Sequence, residues 1–189
     1  MTEPAENYTS QIVLQNLKKK AYWLWGSVLF IVAVWVLIIL AAPIAKANEL
    51  IGISNPIYSF YSYICHQIPS RSFHILEHQF AVCSRCFGVY FGLLLGMLIY
   101  PLIRSMDEIE PFPRFWLILA LVPMVIDWSL TFFGIWENTH FTRVSTGLIL
   151  GIACAIFIVP ALVELSQMLL IRQQKQMVAA ASGDDPATG

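Results

Sequence analysis

Four long apolar runs, at 22–44, 87–103, 115–135 and 144–165, are separated by shorter polar stretches along this chain. A hydrocarbon core of ~30 Å takes about 20 apolar residues at the helical rise, so each run predicts a membrane-crossing helix. The second is the shortest and draws on residues 81–86 to reach that length. Between the first two runs lies a long segment, 45–86, in which Ser54-Asn55-Pro56 signals a helix start and Tyr58, Phe60, Tyr61 and Tyr63 follow at once. So short a helix cannot cross a bilayer, and its rings suit the headgroup level, so it predicts an interfacial helix. After the turn signalled by Pro69-Ser70, His74 and His78 stand four residues apart and would share one face if Ser72 to Gln79 is helical. The expected class is therefore all-α: a polytopic membrane protein with four transmembrane helices and a short interfacial helix in the first outer loop. Residues 1–20 form a polar lead-in, 21–170 a single transmembrane domain, and 171–189 a disordered tail ending through Gly183-Asp184-Asp185-Pro186.

Composition agrees with this pattern. Of 189 residues, 58% are hydrophobic and 12% charged, and mean hydropathy is +0.68, outside the range of soluble globular domains. The 11 basic and 12 acidic residues form no basic stripe, which excludes the electrostatic footprint of a nucleic-acid binder; membrane lipid is the expected partner. Lys18-Lys19-Lys20 before the first run and Ala45-Lys46-Ala47 after it resemble parts of a signal peptide, but the run exceeds the ~7–15 residues of a signal core, so an uncleaved anchor is expected. With the N-terminus inside, the cytoplasmic segments hold Lys18, Lys19, Lys20, Arg104, Arg114, Arg172 and Lys175, and the outer side holds Lys46, Arg71, Arg85 and Arg143. That imbalance predicts N-in, C-in in the cytoplasmic membrane, with the segment 45–86 outside.

That segment carries the candidate chemistry: Cys65-His66, His74, His78 and Cys83-Ser84-Arg85-Cys86. Tetrahedral zinc takes Cys and His ligands, and Cys-x-x-Cys lets two sulfurs face one ion. Cys65, Cys83 and Cys86 with His66 or His78 are the expected ligands, His78 being favoured because adjacent residues rarely chelate one ion together. Zinc is the default, and another transition metal fits the same donors. A competing reading is redox: Cys83 and Cys86 at a helix N-terminus, beside Arg85, would have thiolate character and cycle as a thiol-disulfide oxidoreductase with Cys65 as exchange partner.

Asp127 interrupts the third run, at about 2.5–3.5 kcal/mol on insertion scales, so it needs a partner or a wet cavity. Helical register pairs it with Arg143, and with Arg71 and Arg85 these residues predict a polar cavity beside the cysteines. A third reading makes Asp127 the working group of a small transporter or assembly subunit. Gly88, Gly92 and Gly96, and Gly147, Gly151 and Ala155, recur every fourth residue. Such stripes predict close helix contacts, within one bundle or between copies in a homo-oligomer. Cys154, beside the second stripe, reads as a packing residue.

Over Cys65-His66-Gln67-Ile68-Pro69-Ser70-Arg71-Ser72 and Cys83-Ser84-Arg85-Cys86-Phe87-Gly88-Val89-Tyr90-Phe91-Gly92, the chain resembles a family of small prokaryotic membrane proteins with a CHQ…RS…CxRCxGxYxG signature, domain of unknown function twenty eighty-five. Asp127 and Arg143-Val144-Ser145-Thr146-Gly147 also look like family positions, and the likeness extends over about 55–155. Phe87 stands where that family commonly has Thr. His66 and His78 match motif positions and His74 does not. The resemblance implies a membrane fold and no particular activity.

Overall fold

The computed structural model describes residues 3–104 and 113–182. Helix α1 (Glu3–Ala47) leads into α2 (Ile51–Ser62), a 3-10 turn at Pro69–Arg71, and a hairpin of β1 (His74–Ile75) and β2 (His78–Gln79); α3 (Ser84–Ile103), α4 (Phe115–Phe132) and α5 (His140–Ser182) follow. Four stretches are long and apolar enough to cross a membrane: Lys18–Ala47, Ser84–Ile103, Phe115–Phe132 and His140–Leu169. The chain is an all-α polytopic membrane protein, as its apolar runs predict. The second span does recruit residues ahead of Phe87, starting at Ser84, and the third stops at Phe132, with Gly134 at φ +68 just beyond.

The two glycine stripes face each other. A Cβ on Gly88 would lie 2.5 Å from the Val144 carbonyl oxygen, and one on Gly96 2.6 Å from the Ala155 Cβ; Gly92 meets the Leu148 carbonyl, Gly147 the Arg85 carbonyl and Gly151 the Val89 carbonyl as closely or more so. Helices α3 and α5 therefore touch backbone to backbone, in the way that small residues permit where lipid supplies no hydrophobic drive. Both stripes are covered inside one chain, so an association of copies would use other faces.

Helix α1 packs on α2, α3 and α5, and α4 lies on α5. One apolar cluster joins Ala21, Met97, Tyr100, Ala155, Val159 and Val163, tied further by the Trp25 Nε1 bond to the Met97 carbonyl at 3.1 Å. A second, around Ile39, Ala42, Tyr61, Cys65, Phe80, Ala81 and Val82, lies at the other end and supports the cysteines. Within it Tyr61, 1% exposed, turns inward onto Trp35, with ring centroids 5.2 Å apart and a 3.0 Å bond to the Trp35 carbonyl. The aromatic run of α2 is thus divided between the core and the surface, where Tyr63 remains exposed.

Several local expectations are corrected. Helix α2 begins at Ile51 rather than at the Ser54-Asn55-Pro56 signal: Glu49, at φ 58, reverses the chain after α1, and the Leu50 carbonyl already accepts from Ile53 and Ser54 at 3.0 Å. The stretch 72–79 is a hairpin, not a helix. His74 pairs with Gln79 and Ile75 with His78 around Leu76 and Glu77, both at positive φ; half-buried Phe73 and buried Phe80, joined by a 2.7 Å backbone bond, close its base. Helix α1 is continuous from Glu3, and α5 continues to Ser182, which replaces the tail expected from 171 onward up to that point. The rest of that tail, and Pro111 in the loop between α3 and α4, lie outside the described residues.

Candidate functional site

Two segments meet at the start of α3. Cys65 follows the end of α2, and its backbone N–H closes the last turn on the Tyr61 carbonyl at 2.9 Å. Cys83 caps α3 in an extended conformation, its carbonyl accepting from Phe87 at 2.9 Å, and Cys86 sits in the first turn. Two residues of helix between Cys83 and Cys86 bring their side chains to one side. The three sulfurs lie within 4.8 Å of one another, and all three cysteines are free of disulfides.

Glutamines hold these segments together. Gln67, at φ 49, donates through Nε2 to the Tyr58 and Ala81 carbonyls, both at 2.8 Å. Gln79 returns a 3.3 Å bond to the Gln67 carbonyl, and the Tyr58 hydroxyl donates to the Gln79 carbonyl. Ser84, fully buried, bonds His140 Nδ1 at 2.8 Å and fastens the start of α3 to the start of α5. Sequence reasoning assigned no role to Gln67, Gln79 or Ser84. The available signal was the polarity of side chains placed between apolar runs, where a buried amide must find partners.

Hydrogen bonds from the Cys83 and Cys86 thiols, with backbone N–H groups of Cys83 and Gln67 adding to them, hold the Cys65 thiol well below the usual cysteine range. The Cys83 N–H to Cys65 Sγ distance is 3.2 Å. A thiolate is the form that binds metal, and N–H bonds to sulfur are the kind of support that ligands receive from their surroundings. Sulfurs around tetrahedral zinc, at a Zn–S length of about 2.3 Å, stand about 3.8 Å apart. The observed spacing and donor chemistry fit a soft transition metal with three sulfur ligands. Among the described residues no histidine joins this group. His66 lines the cavity beside it, whereas His78, in β2, does not.

That cavity, of about 460 Å³, is bounded by the three cysteines, His66, Gln67, Arg71, Arg85, Asn138 and Arg143, with Ile64, Ile68, Trp128 and Phe132 among its apolar walls. Asp127 pairs with Arg85, which corrects the expected Asp127–Arg143 pair. Register along α4 and α5 takes no account of α3. The glycine contact brings the first turn of α3 against α5, and from there the long Arg85 side chain reaches α4. Asn138, 8% exposed, completes the arrangement by donating from Nδ2 to the Asp127 backbone carbonyl at 2.8 Å and to its Oδ2 at 2.6 Å. Thr131 bonds both the Asn138 side-chain oxygen and the Asp127 carbonyl. Arg71 and Arg143 line the cavity, and Asp127 stands behind Arg85 instead of lining it.

A family described as "Predicted membrane protein (DUF2085)" matches residues 65–157, the stretch that holds the three cysteines, Arg71, Arg85, Asp127, Asn138 and Arg143. An uncharacterized protein of Methanocaldococcus jannaschii is 43% identical over 113 residues, covering 60% of this chain and 72% of its own length. Another, from Methanothermobacter thermautotrophicus, is 36% identical over 99 residues, 51% of this chain and 85% of its own. No solved structure matches the chain. On these relationships, and on the cysteine and arginine positions inside the matched stretch, the chain belongs to the DUF2085 family of membrane proteins.

Proposed function

We propose that this membrane protein binds a transition metal ion, zinc by default, through Cys65, Cys83 and Cys86, with its fourth position open to the cavity or taken by His66. The observation that carries the reading is the convergence of three sulfurs from two separate segments within 4.8 Å. Structural zinc sites are usually closed by a fourth protein ligand, whereas an open position beside a lined cavity is the arrangement of sites that act on a bound molecule. The basic residues, seven toward the N- and C-terminal side against four, support an orientation with both termini in the cytoplasm and the cluster outside.

Elemental mass spectrometry on detergent-purified protein, wild type beside Cys83→Ser, with free thiols counted in the same samples, tests the reading. About one metal per chain, absent from the variant, is the expected result. A metal-free wild type would remove the proposal.

A second reading is favoured by the placement of Cys83 at the N-cap and Cys86 in the first turn of α3, which brings two disulfide-free thiols together at one helix end. Here the two thiols form a disulfide, releasing two electrons and two protons to an acceptor of the quinone or disulfide class. It predicts thiol counts that change reversibly with oxidant and reductant and are indifferent to chelator. The transporter reading asks Asp127 to act as a coupling group, and that carboxylate would first have to leave both Arg85 and Asn138. Transport surviving Asp127→Asn would exclude it.

A further inference from the structure

We infer that the cavity beside the cysteines is a binding site for a phosphate-type oxyanion, gripped by Arg71 and Arg143 with Arg85 at its edge. The inference goes beyond the metal reading and stands without it, because the arginines line the cavity whatever the sulfurs hold.

Arg143 is only 9% exposed, yet among the described residues its guanidinium has no hydrogen bond or ion pair. It lines the cavity and lies within electrostatic range of Arg71 and Arg85, which repel it. Arg85 is held at one end by Asp127, while its buried Nε has no partner. The Arg143 guanidinium thus keeps its accessible nitrogens toward the cavity without a carboxylate partner, and the buried Arg85 Nε is left unpaired beside it, an arrangement open to an anionic ligand.

The charge balance points the same way. Setting the sulfurs aside, three guanidiniums face one carboxylate, Asp127, so the arginine group carries a positive excess. Planar guanidinium forks match the oxygen geometry of phosphate, and several can share its oxygens at once. The volume, about 460 Å³, exceeds what free phosphate needs, and Ile64, Ile68, Trp128 and Phe132 supply apolar wall. The site therefore suits a phosphoryl group carried on a partly apolar molecule, either a soluble phosphate ester or an anionic lipid headgroup.

The test follows thermal unfolding of purified full-length protein against inorganic phosphate at constant ionic strength, with chloride as reference. A parallel series compares phosphatidylglycerol with phosphatidylcholine nanodiscs. Wild type and Cys83→Ser should both show a saturable upward shift, since ligand that binds only the folded state raises its stability. Arg143→Met should weaken the apparent affinity by about ten- to a hundredfold, the loss expected for hydrogen bonds to a charged group. Exposed Arg71 offers a second variant, Arg71→Gln, whose folding does not depend on a buried position. A shift with phosphate assigns a soluble source, and one confined to phosphatidylglycerol assigns a lipid source; both sustain the site if they depend on Arg143 or Arg71. No shift beyond chloride and phosphatidylcholine in wild type, or a shift kept in both arginine variants, overturns it. Binding lost in Cys83→Ser but kept in Arg143→Met would place the anion on the sulfur-held ion and overturn it equally.

Discussion

Replacing Gly147 by alanine tests whether the helix contact and the cysteine site form one mechanical unit. The new Cβ would collide with the Arg85 carbonyl oxygen and lie 3.0 Å from Val89 N and 3.3 Å from the Gly88 carbonyl carbon. All three are backbone atoms of the start of α3, which cannot rotate aside as a side chain would. The helices must separate locally by about 0.5–1 Å, a gap that forfeits about a quarter to a half of the dispersion attraction across it. Overpacking of this kind costs about 1–3 kcal/mol. At about 2–4 °C per kcal/mol for a chain of this size, Tm falls by about 2–12 °C. The displaced turn carries Arg85 and Cys86, so alkylation of Cys86 in reduced, metal-free protein should also accelerate. Gly96→Ala, whose Cβ meets Ala155 and Ile152 near the other end of α3, should lower Tm and leave that rate alone. Thermal unfolding in detergent and mass-spectrometric alkylation rates read both effects. A wild-type Tm for Gly147→Ala, or equal alkylation rates in the two variants, would refute the coupling.

Asp127→Leu strands Arg85 and should cost about 3–5 kcal/mol in denaturant titration, while the double variant Arg85→Met/Asp127→Leu should recover most of it; a double variant as unstable as the single one would count against the pair. Gln67→Ala leaves the Tyr58 and Ala81 carbonyls short of a donor, for about 1–3 kcal/mol, and should speed alkylation of Cys65. In reduced, metal-free protein, the lowered Cys65 pKa contributes stability that is fully present above its ordinary value of 9.0 and is lost as pH falls toward the folded value. Tm should therefore decline as the solution is acidified from that point, and Cys65→Ser should flatten the profile.

What could be read from the sequence was whatever depended on periodicity or on local chemistry. The apolar runs marked the spanning helices, and the four-residue spacing of Gly88, Gly92 and Gly96 marked the face that meets Gly147 and Gly151. Cys83 and Cys86 were legible as a pair because two intervening residues suffice to bring them together, and Cys65 because a third soft donor nearby is chemically conspicuous. Errors arose where tertiary placement overrode local pattern. His74 and His78 have helical spacing, but the chain reverses at Leu76 and Glu77 and packs Phe73 against Phe80, which makes a hairpin. Asp127 was assigned the nearest cation along a hairpin register, whereas the long side chain of Arg85 crosses from another helix. Gln67 was invisible as a clamp because its two acceptors, at Tyr58 and Ala81, are backbone atoms that no sequence pattern names.

Helix α4 has no buried residue along its span, and its polar attachments run through Asp127, Arg85 and Asn138. The chain thereby separates two kinds of cohesion. The cysteine-bearing end rests on α1, α3 and α5, whose contacts are dense and mutually reinforcing. Trp128, Thr131 and Phe132, which form part of the cavity wall, sit on a helix joined to that scaffold at far fewer points. Cooperative units in proteins follow contact density, and sparsely joined elements open first. The cage of sulfurs and one wall of the space it faces therefore belong to different units of stability, so α4 can detach or exchange its lipid neighbours while the cage keeps its shape.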